Sequence, residues 1–154
     1  MAGFYKIEIN ETAMIKRIIQ IHDDLPRAWN SAHHVSQEYL DKLFERIQSD
    51  IKPNGFWILS RIEPYTPDSV DGVLWATLED CLGALTCRIN SFWIRPELRN
   101  QSFAPRLTEE CLRWAKGLGA NRLECSTHTD NSRMREILER HGFKRGMIQY
   151  SLCL

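Results

Sequence analysis

From Phe92 to Glu124 the chain reads FWIRPELRNQSFAPRLTEECLRWAKGLGANRLE: a β-favouring run, a polar loop with prolines, a long amphipathic segment ending in glycine, and a second β-favouring run. That order constrains the fold more than any other stretch. A helix set between two strands of one sheet carries the chain back to its starting end, so the strands ending near Ile94 and Cys125 are predicted to be parallel neighbours. Leu107, Cys111, Trp114, Ala115 and Leu118 fall at helical spacing and define the inward face, and Gly119 closes the helix. Pro105 suits the first helical turn, where a missing N–H is least felt.

The rest of the chain supplies strands and helices around this unit. Phe4 to Ile9 alternates apolar and polar residues as a strand does, and Ile15, Ile18, Ile19, His22 and Leu25 trace a helix capped at Thr12 or Asn10 and limited by Pro26. A loop follows from Pro26 to Val35. Ser36 then caps a second helix whose face is Leu40, Leu43, Phe44 and Ile47. The segments GFWILSRIE, DGVLWATLED and GALTCRINSFWI are β-rich and predict a meander, with a tight connection at Leu82–Gly83. After the crossover come a strand, NRLECST, and a helix from Asp130 or Asn131 through Met134, Ile137, Leu138 and His141 to Gly142. MIQYSLCL is the closing strand. The order β-α-α-β-β-β-α-β-α-β predicts an α/β (α+β) fold, a mixed sheet covered by helices, as a single domain over residues 1–154.

A chain of 154 residues is long enough to bury roughly two-thirds of its unfolded surface without disulfides or metals. The five cysteines (Cys81, Cys87, Cys111, Cys125, Cys153) show no metal-ligand spacing and read as buried, reduced thiols, so no metal is expected. Twenty basic and twenty acidic side chains balance, which gives no broad footprint for nucleic acid or an anionic membrane. No apolar run reaches the roughly 20 residues that span a bilayer, and MAGFYKIEIN lacks the pattern of a secretory signal, so a cytoplasmic protein is expected.

With no general charge to draw an anion, any anionic ligand must be held locally. The loop before Pro105 offers that: the first N–H groups of a helix lack partners, their partial positive charge suits a phosphate, and Arg95, Arg99 and Arg106 flank them. Arg133 and Arg135 stand at the start of the last helix. The alternative reading is an ordinary β-α connection with surface arginines.

A resemblance bears on that choice. Arg99 to Ala104 resembles the acetyl-CoA-binding motif of the GNAT family of N-acetyltransferases, (Gln/Arg)-x-x-Gly-x-(Gly/Ala). It matches at Arg99 and Ala104, and Ser102 stands at the central glycine. WIRPELR is similar to the family's V-x-P-x-x-R entry. DNSRMREILERHGFKR resembles its N-x-x-A-x-x-x-Y-x-x-x-G-F segment, matching at Asn131, Gly142 and Phe143. Two motifs in register, about thirty residues apart, are far more specific than either alone.

The resemblance implies a single acetyltransferase-like domain whose two central parallel strands splay apart, with acetyl-CoA lying in the gap. It implies that the amides of Asn100, Gln101, Ser102, Phe103 and Ala104 bind the pyrophosphate beside Arg99. The main chain at Ile94 would hold the pantetheine arm and polarise the thioester carbonyl, and Asn131 would contact pantetheine or hold the strand open. A neutral primary amine, on a small polyamine or aminoglycoside-like molecule or on a protein, would attack the thioester directly. Dimers are common in the family, so a homodimer is the assembly it suggests. Two departures stand out: Ser102 puts a Cβ where phosphate meets bare backbone, and Leu138 stands where the family frequently has a tyrosine that serves as general acid.

The base and acid are not fixed by the motifs. Counting back from Ile94 in steps of two puts Phe92, Asn90 and Arg88 on one face, with no carboxylate, and Glu79 and Asp80 lie too far up the preceding turn. His33 and His34, in the loop between the first two helices, titrate in the right range for a base; solvated loop histidines are the other reading. Ser126, with Thr127, offers a donor to the departing sulfur, against a local turn role shared with His128. Asp23 and Asp24 offer charge to a cationic amine, and Trp29 a stacking surface. The opposing functional class is a CoA-binding interaction module that has lost turnover, suggested by Leu138 and Ser102.

Overall fold

The computed structural model describes residues 3–7, 12–27, 35–49, 54–60 and 64–146. The expected closing strand from Met147 lies outside them. Strand β1 (Gly3–Ile7) is followed by helices α1 (Thr12–Arg27) and α2 (Gln37–Ser49). Then come β2 (Asn54–Ser60), β3 (Val70–Cys81), β4 (Ala84–Ile94), α3 (Phe103–Gly117), β5 (Arg122–Cys125) and α4 (Ser132–Arg140). The described strands form one sheet in the order β1-β2-β3-β4-β5. Its pairings are antiparallel except that β4 and β5 run parallel, as the crossover requires.

Local chemistry sets the boundaries. Ser36 Oγ accepts from the Tyr39 amide at 3.1 Å and starts α2 as its N-cap. Asn131 Oδ1 does the same for α4, from the Met134 amide at 3.1 Å. Past α3 the chain turns through Gly119 at φ 89, a left-handed conformation that glycine adopts without steric cost. Between β3 and β4, Leu82 and Gly83 both take positive φ (56 and 80), as a two-residue hairpin turn demands, and the Gly83 amide donates to Asp80 Oδ1 at 2.8 Å.

Two cores lie on opposite faces of the sheet. Met14, Ile15, Ile18, Ile19 and Ile21 of α1 pack on Ile58, Val70, Val73 and Trp75, with Leu40, Leu43 and Phe44 of α2 against them. On the other face Leu107, Cys111 and Ala115 of α3 pack on Leu74, Ala76, Leu78, Cys87 and Ile94. Alternation along β3 therefore sends Val73 and Trp75 to α1 and Leu74, Ala76 and Leu78 to α3. Leu107 is fully buried, so truncating it to alanine costs about 2–5 kcal/mol. The inward face read for α3 is correct at Leu107, Cys111 and Ala115, whereas Leu118 is exposed.

Strand β4 breaks its own alternation. Trp75 faces Ser91 and Ala76 faces Ile89, so Asn90 is an extra residue, a β-bulge. Below it Cys87 and Ile89 pack toward α3; above it Phe92 and Ile94 do so, while Trp93 packs toward α1. Counting by twos from Ile94 thus fails at Asn90. Asn90 Nδ2 donates to Thr77 Oγ1 at 3.1 Å, on the face of Trp75 and away from Phe92.

The parallel pairing ends at the same place. β5 runs beside β4 only from Thr86↔Arg122 to Ile89↔Cys125. Above Ile89, β4 continues to Ile94 paired, among the described residues, with β3 alone, leaving an edge about 16 Å long at about 3.3 Å per residue. The sheet splays between β4 and β5, and the bulge that bends β4 marks where the splay opens.

Candidate active site

This edge of β4 presents main-chain groups to the gap. The Arg95 amide donates to Asp71 O at 2.8 Å, which makes that pair hydrogen-bonded across to β3. The next pair, Gly72↔Ile94, is therefore the non-bonded kind, and the N–H and C=O of Ile94 point into the gap, as do those of Phe92 opposite Leu74. The Ile94 carbonyl is engaged there: Arg99 Nε donates to it at 3.0 Å. The arginine thereby folds the loop after β4 back against the strand end.

Asp71 and Arg95 brace this end. Asp71 keeps only 6% of its side-chain surface, and Arg95 Nε lies 2.9 Å from Asp71 Oδ1 as an ion contact that is not an aligned hydrogen bond. Arg95 also donates through an NH2 group to Val70 O at 3.0 Å. The guanidinium thus clamps the upper end of β4 to β3, on the side opposite the gap.

The loop itself is backbone-strained in a way that suits an anion. Asn100 (φ 70) and Ser102 (φ 62) both take the left-handed conformation, which costs a non-glycine residue about 1–2 kcal/mol. Left-handed residues in such a turn direct neighbouring amides toward one point. Ser102 is the N-cap of α3, yet its hydroxyl makes no cap hydrogen bond. Pro105 removes one of the first-turn donors, so the amides of Phe103 and Ala104 are those left pointing out of the helix. Gln101 Nε2 donates to Glu97 O at 3.1 Å, Leu98 is buried under the loop, and Phe103 and Ala104 pack on the α3-side core. Arg133 of α4 donates to Asn100 Oδ1, which brings a cation to the loop from the far side of the gap.

The other sequence-predicted residues scatter. His33, His34 and Trp29 lie outside the described residues, as do the side chains of Asp23 and Asp24. Ser126 is exposed, one residue beyond the end of β5, and Thr127 is half-buried. His128 serves the local turn, its Nδ1 accepting from the Asp130 amide at 3.3 Å. The Oδ1 of Asn131 is committed to the helix cap, which leaves Nδ2 free to donate outward. His141, which the helical spacing puts in one stripe with Met134, Ile137 and Leu138 and so on the side expected to face the core, is exposed at the end of α4, a helix with no buried residue. Glu79 pairs with Arg88 at 3.4 Å, and Arg88 reaches Glu124 at 3.5 Å, a half-exposed network at the lower end of the sheet.

Among the described residues the cysteines form no nucleophilic centre. Cys87 and Cys111 are fully buried, their sulfurs 3.8 Å apart between β4 and α3. The hydrogen bond shared with Cys87, together with burial, pushes the Cys111 thiol up and keeps it protonated. Burial pushes the half-buried Cys125 up to about 11. Among the described residues no group of His, Cys, Asp and Glu is arranged to hold a metal, and no helix is long and apolar enough to cross a membrane.

Sequence reasoning missed one polar residue at the gap. Ser91, beside the bulge, retains 4% of its surface, and its Oγ has no hydrogen-bond partner among the described residues. The signal available was Asn90-Ser91 itself, two β-disfavoured polar residues inside an apolar strand.

A mixed sheet split beside a parallel crossover, with a helix N-terminus aimed at the split, defines an acyl-CoA-dependent transferase fold. The acetyltransferase (GNAT) family model matches residues 18–143, and the chain belongs to that family of acyl-CoA-dependent N-acetyltransferases. A comparison with functionally curated proteins gives no match. Among solved structures, the chain is similar to glucosamine-6-phosphate N-acetyltransferase from Arabidopsis thaliana, with TM-score 0.66, 17% identity and coverage of 99% of this chain and 98% of that one. It is also similar to an aminoglycoside acetyltransferase, meta-AAC0020, from an uncultured soil metagenomic sample, with TM-score 0.73, 9% identity, and coverage of 99% and 96%. A third is AAC(6')-Iy in complex with a bisubstrate analogue, CoA-S-monomethyl-acetylneamine, at TM-score 0.67, 14% identity and 99% coverage of both chains. At these identities the likeness is one of fold.

Proposed function

We propose that the chain transfers the acetyl group of acetyl-CoA to a primary amine by direct attack, as a single domain spanning residues 1–154. The observation that carries this is the edge of β4 above Ile89, with the amides of Phe92 and Ile94 facing a gap that ends at the Arg99–Ala104 loop. These residues fit an acyl-CoA: amides of Asn100 to Ala104 and the Arg99 side chain take the pyrophosphate, and the edge of β4 takes the pantetheine arm. Bound there, acetyl-CoA supplies an activated acetyl group.

The chain's own contribution is positioning and electrostatics. The Phe92 or Ile94 amide donates to the thioester carbonyl and stabilises the negative charge that develops on its oxygen when the amine attacks. The amine must reach the site neutral, and His33 or His34 is the base this reading assigns to take its proton. Ser126 is the donor assigned to the departing thiolate. Because a CoA thiol is a good leaving group, leucine at position 138 slows this step without forbidding it.

The acceptor is a small amine of the polyamine or aminoglycoside kind, a class that two of the structural neighbours suggest by their names. Incubating the protein with acetyl-CoA, an amine panel and a lysine-bearing peptide, and following product mass, tests the proposal. An acetylated small amine is the expected product. A protein that binds CoA but yields no acetylated amine or peptide refutes transfer and favours the interaction module. Failure of CoA and acetyl-CoA to raise Tm at well above micromolar concentration refutes the cofactor site.

A further inference from the structure

One buried polar group of β4 is left without work by that proposal. Ser91 is 4% exposed and its Oγ finds no partner among the described residues. A buried hydroxyl without a partner is disfavoured, and native proteins rarely keep one unless water or a ligand completes it. Its place in the fold says which. Ser91 is cross-strand to Trp75, whose side chain belongs to the α1-side core, so the hydroxyl lies on the α1 face of the sheet. The next residue, Phe92, sends its side chain to the α3 face and its amide into the gap.

Asn90 is on the α1 face as well, since its Nδ2 donates to Thr77 Oγ1 at 3.1 Å. That bond fixes the carboxamide and leaves its Oδ1 free to accept. The bulge therefore sets two neutral acceptors, Asn90 Oδ1 and Ser91 Oγ, side by side at the point where β5 leaves β4.

We propose that Ser91 is an acceptor-binding residue: its Oγ takes a hydrogen bond from the attacking amine on the α1 side of the gap, with Asn90 beside it. The inference rests on the proposed acetyl transfer and deepens it. An acyl donor anchored at the α3 N-terminus and held by the Phe92 amide presents its opposite side toward α1, and Ser91 is the residue adjoining that amide. A neutral acceptor also suits the chemistry. A carboxylate at this point would hold the amine as its ammonium form, which has no lone pair to attack with, whereas a hydroxyl imposes no such bias.

The test is Ser91→Ala in the full chain, with thiol release from acetyl-CoA followed for spermidine, neamine and a lysine-bearing peptide. Tm and CoA Kd are measured alongside. The expected result is a loss of about tenfold in kcat/KM for the amine, which is about 1.4 kcal/mol, carried mainly by KM, with CoA Kd unchanged and Tm unchanged or raised. Activity within twofold of the parent overturns the assignment. So does a parallel loss of CoA affinity or a clear fall in Tm, because either makes the hydroxyl a structural group. A parent protein that binds CoA yet releases no thiol with any of the three refutes the transfer reading itself, and this assignment with it.

Discussion

Replacing Ser102 separates two roles that one side chain can play. Ser102 sits at φ 62 and makes no cap hydrogen bond, so its Cβ carries a steric cost that its exposed hydroxyl does not repay. The left-handed conformation costs about 1–2 kcal/mol for a residue with a Cβ. Glycine removes that cost but adds about 0.5–1 kcal/mol of unfolded-chain entropy. Ser102→Gly should therefore raise stability by about 0.5–1 kcal/mol, a Tm increase of about 1–4 °C for a chain of 154 residues. Ser102→Ala keeps the Cβ and loses only the hydroxyl, so it should stay within about 0.5 kcal/mol of the parent. Urea unfolding of the three proteins gives these differences, and titration calorimetry with CoA gives the second half. Glycine lets a phosphate approach the amides more closely and should tighten CoA about two- to fivefold, the equivalent of about 0.4–1 kcal/mol. A loss of more than 1 kcal/mol in Ser102→Ala would refute the argument, because it would mean that the hydroxyl holds the helix start.

Three further outcomes follow from the geometry. Leu82 is wholly exposed at φ 56, so Leu82→Asn gives up no packing, suits the hairpin turn and should add about 1 kcal/mol in urea unfolding. Arg95→Ala leaves Asp71 buried without its clamp and should cost about 2 kcal/mol, less than the usual 3–5 for a fully buried pair because Arg95 is 36% exposed; Asp71→Asn, which sheds the charge and keeps the shape, should cost less in the same assay. For Cys125, whose thiol is raised from 9.0 to about 11, the unfolded state loses its proton first, so its contribution to stability is whole below pH 9 and is lost between pH 9 and 11. Tm measured across that window should fall more for the parent than for Cys125→Ala.

What the sequence made legible was whatever repeats or caps. The greater part of the α1 and α3 faces, the Ser36 and Asn131 caps, the meander and the crossover all rest on periodicity or on short-range hydrogen-bond chemistry, and each has its counterpart in the described structure. The turn from Arg99 to Ala104 was legible as a strand-to-helix connection because Pro105 and the polar residues before it are tied to a helix start. The bulge was not, since one inserted residue leaves no period to detect, and with it went the assignment of faces along β4. The strand read as NRLECST pairs over only four residues, because pairing ends where β4 bends and not where β propensity runs out. His141 was misjudged for a related reason: a helical stripe shows which side of α4 is uniform, while the packing around it determines whether that side is covered.

The bulge at Asn90 makes β4 two strands in opposite phase joined end to end. The lower half is locked between two neighbours, and the upper half, among the described residues, hangs from one. Deleting Asn90 would restore a single phase and leave the two linings above it in place, Phe92 and Ile94 toward α3 and Ser91 and Trp93 toward α1. Deleting Asn90 together with one residue above it would swap the linings beyond the second deletion. Parity, more than the number of residues lost, decides whether a shortened β4 still presents the right surface to each side of the gap.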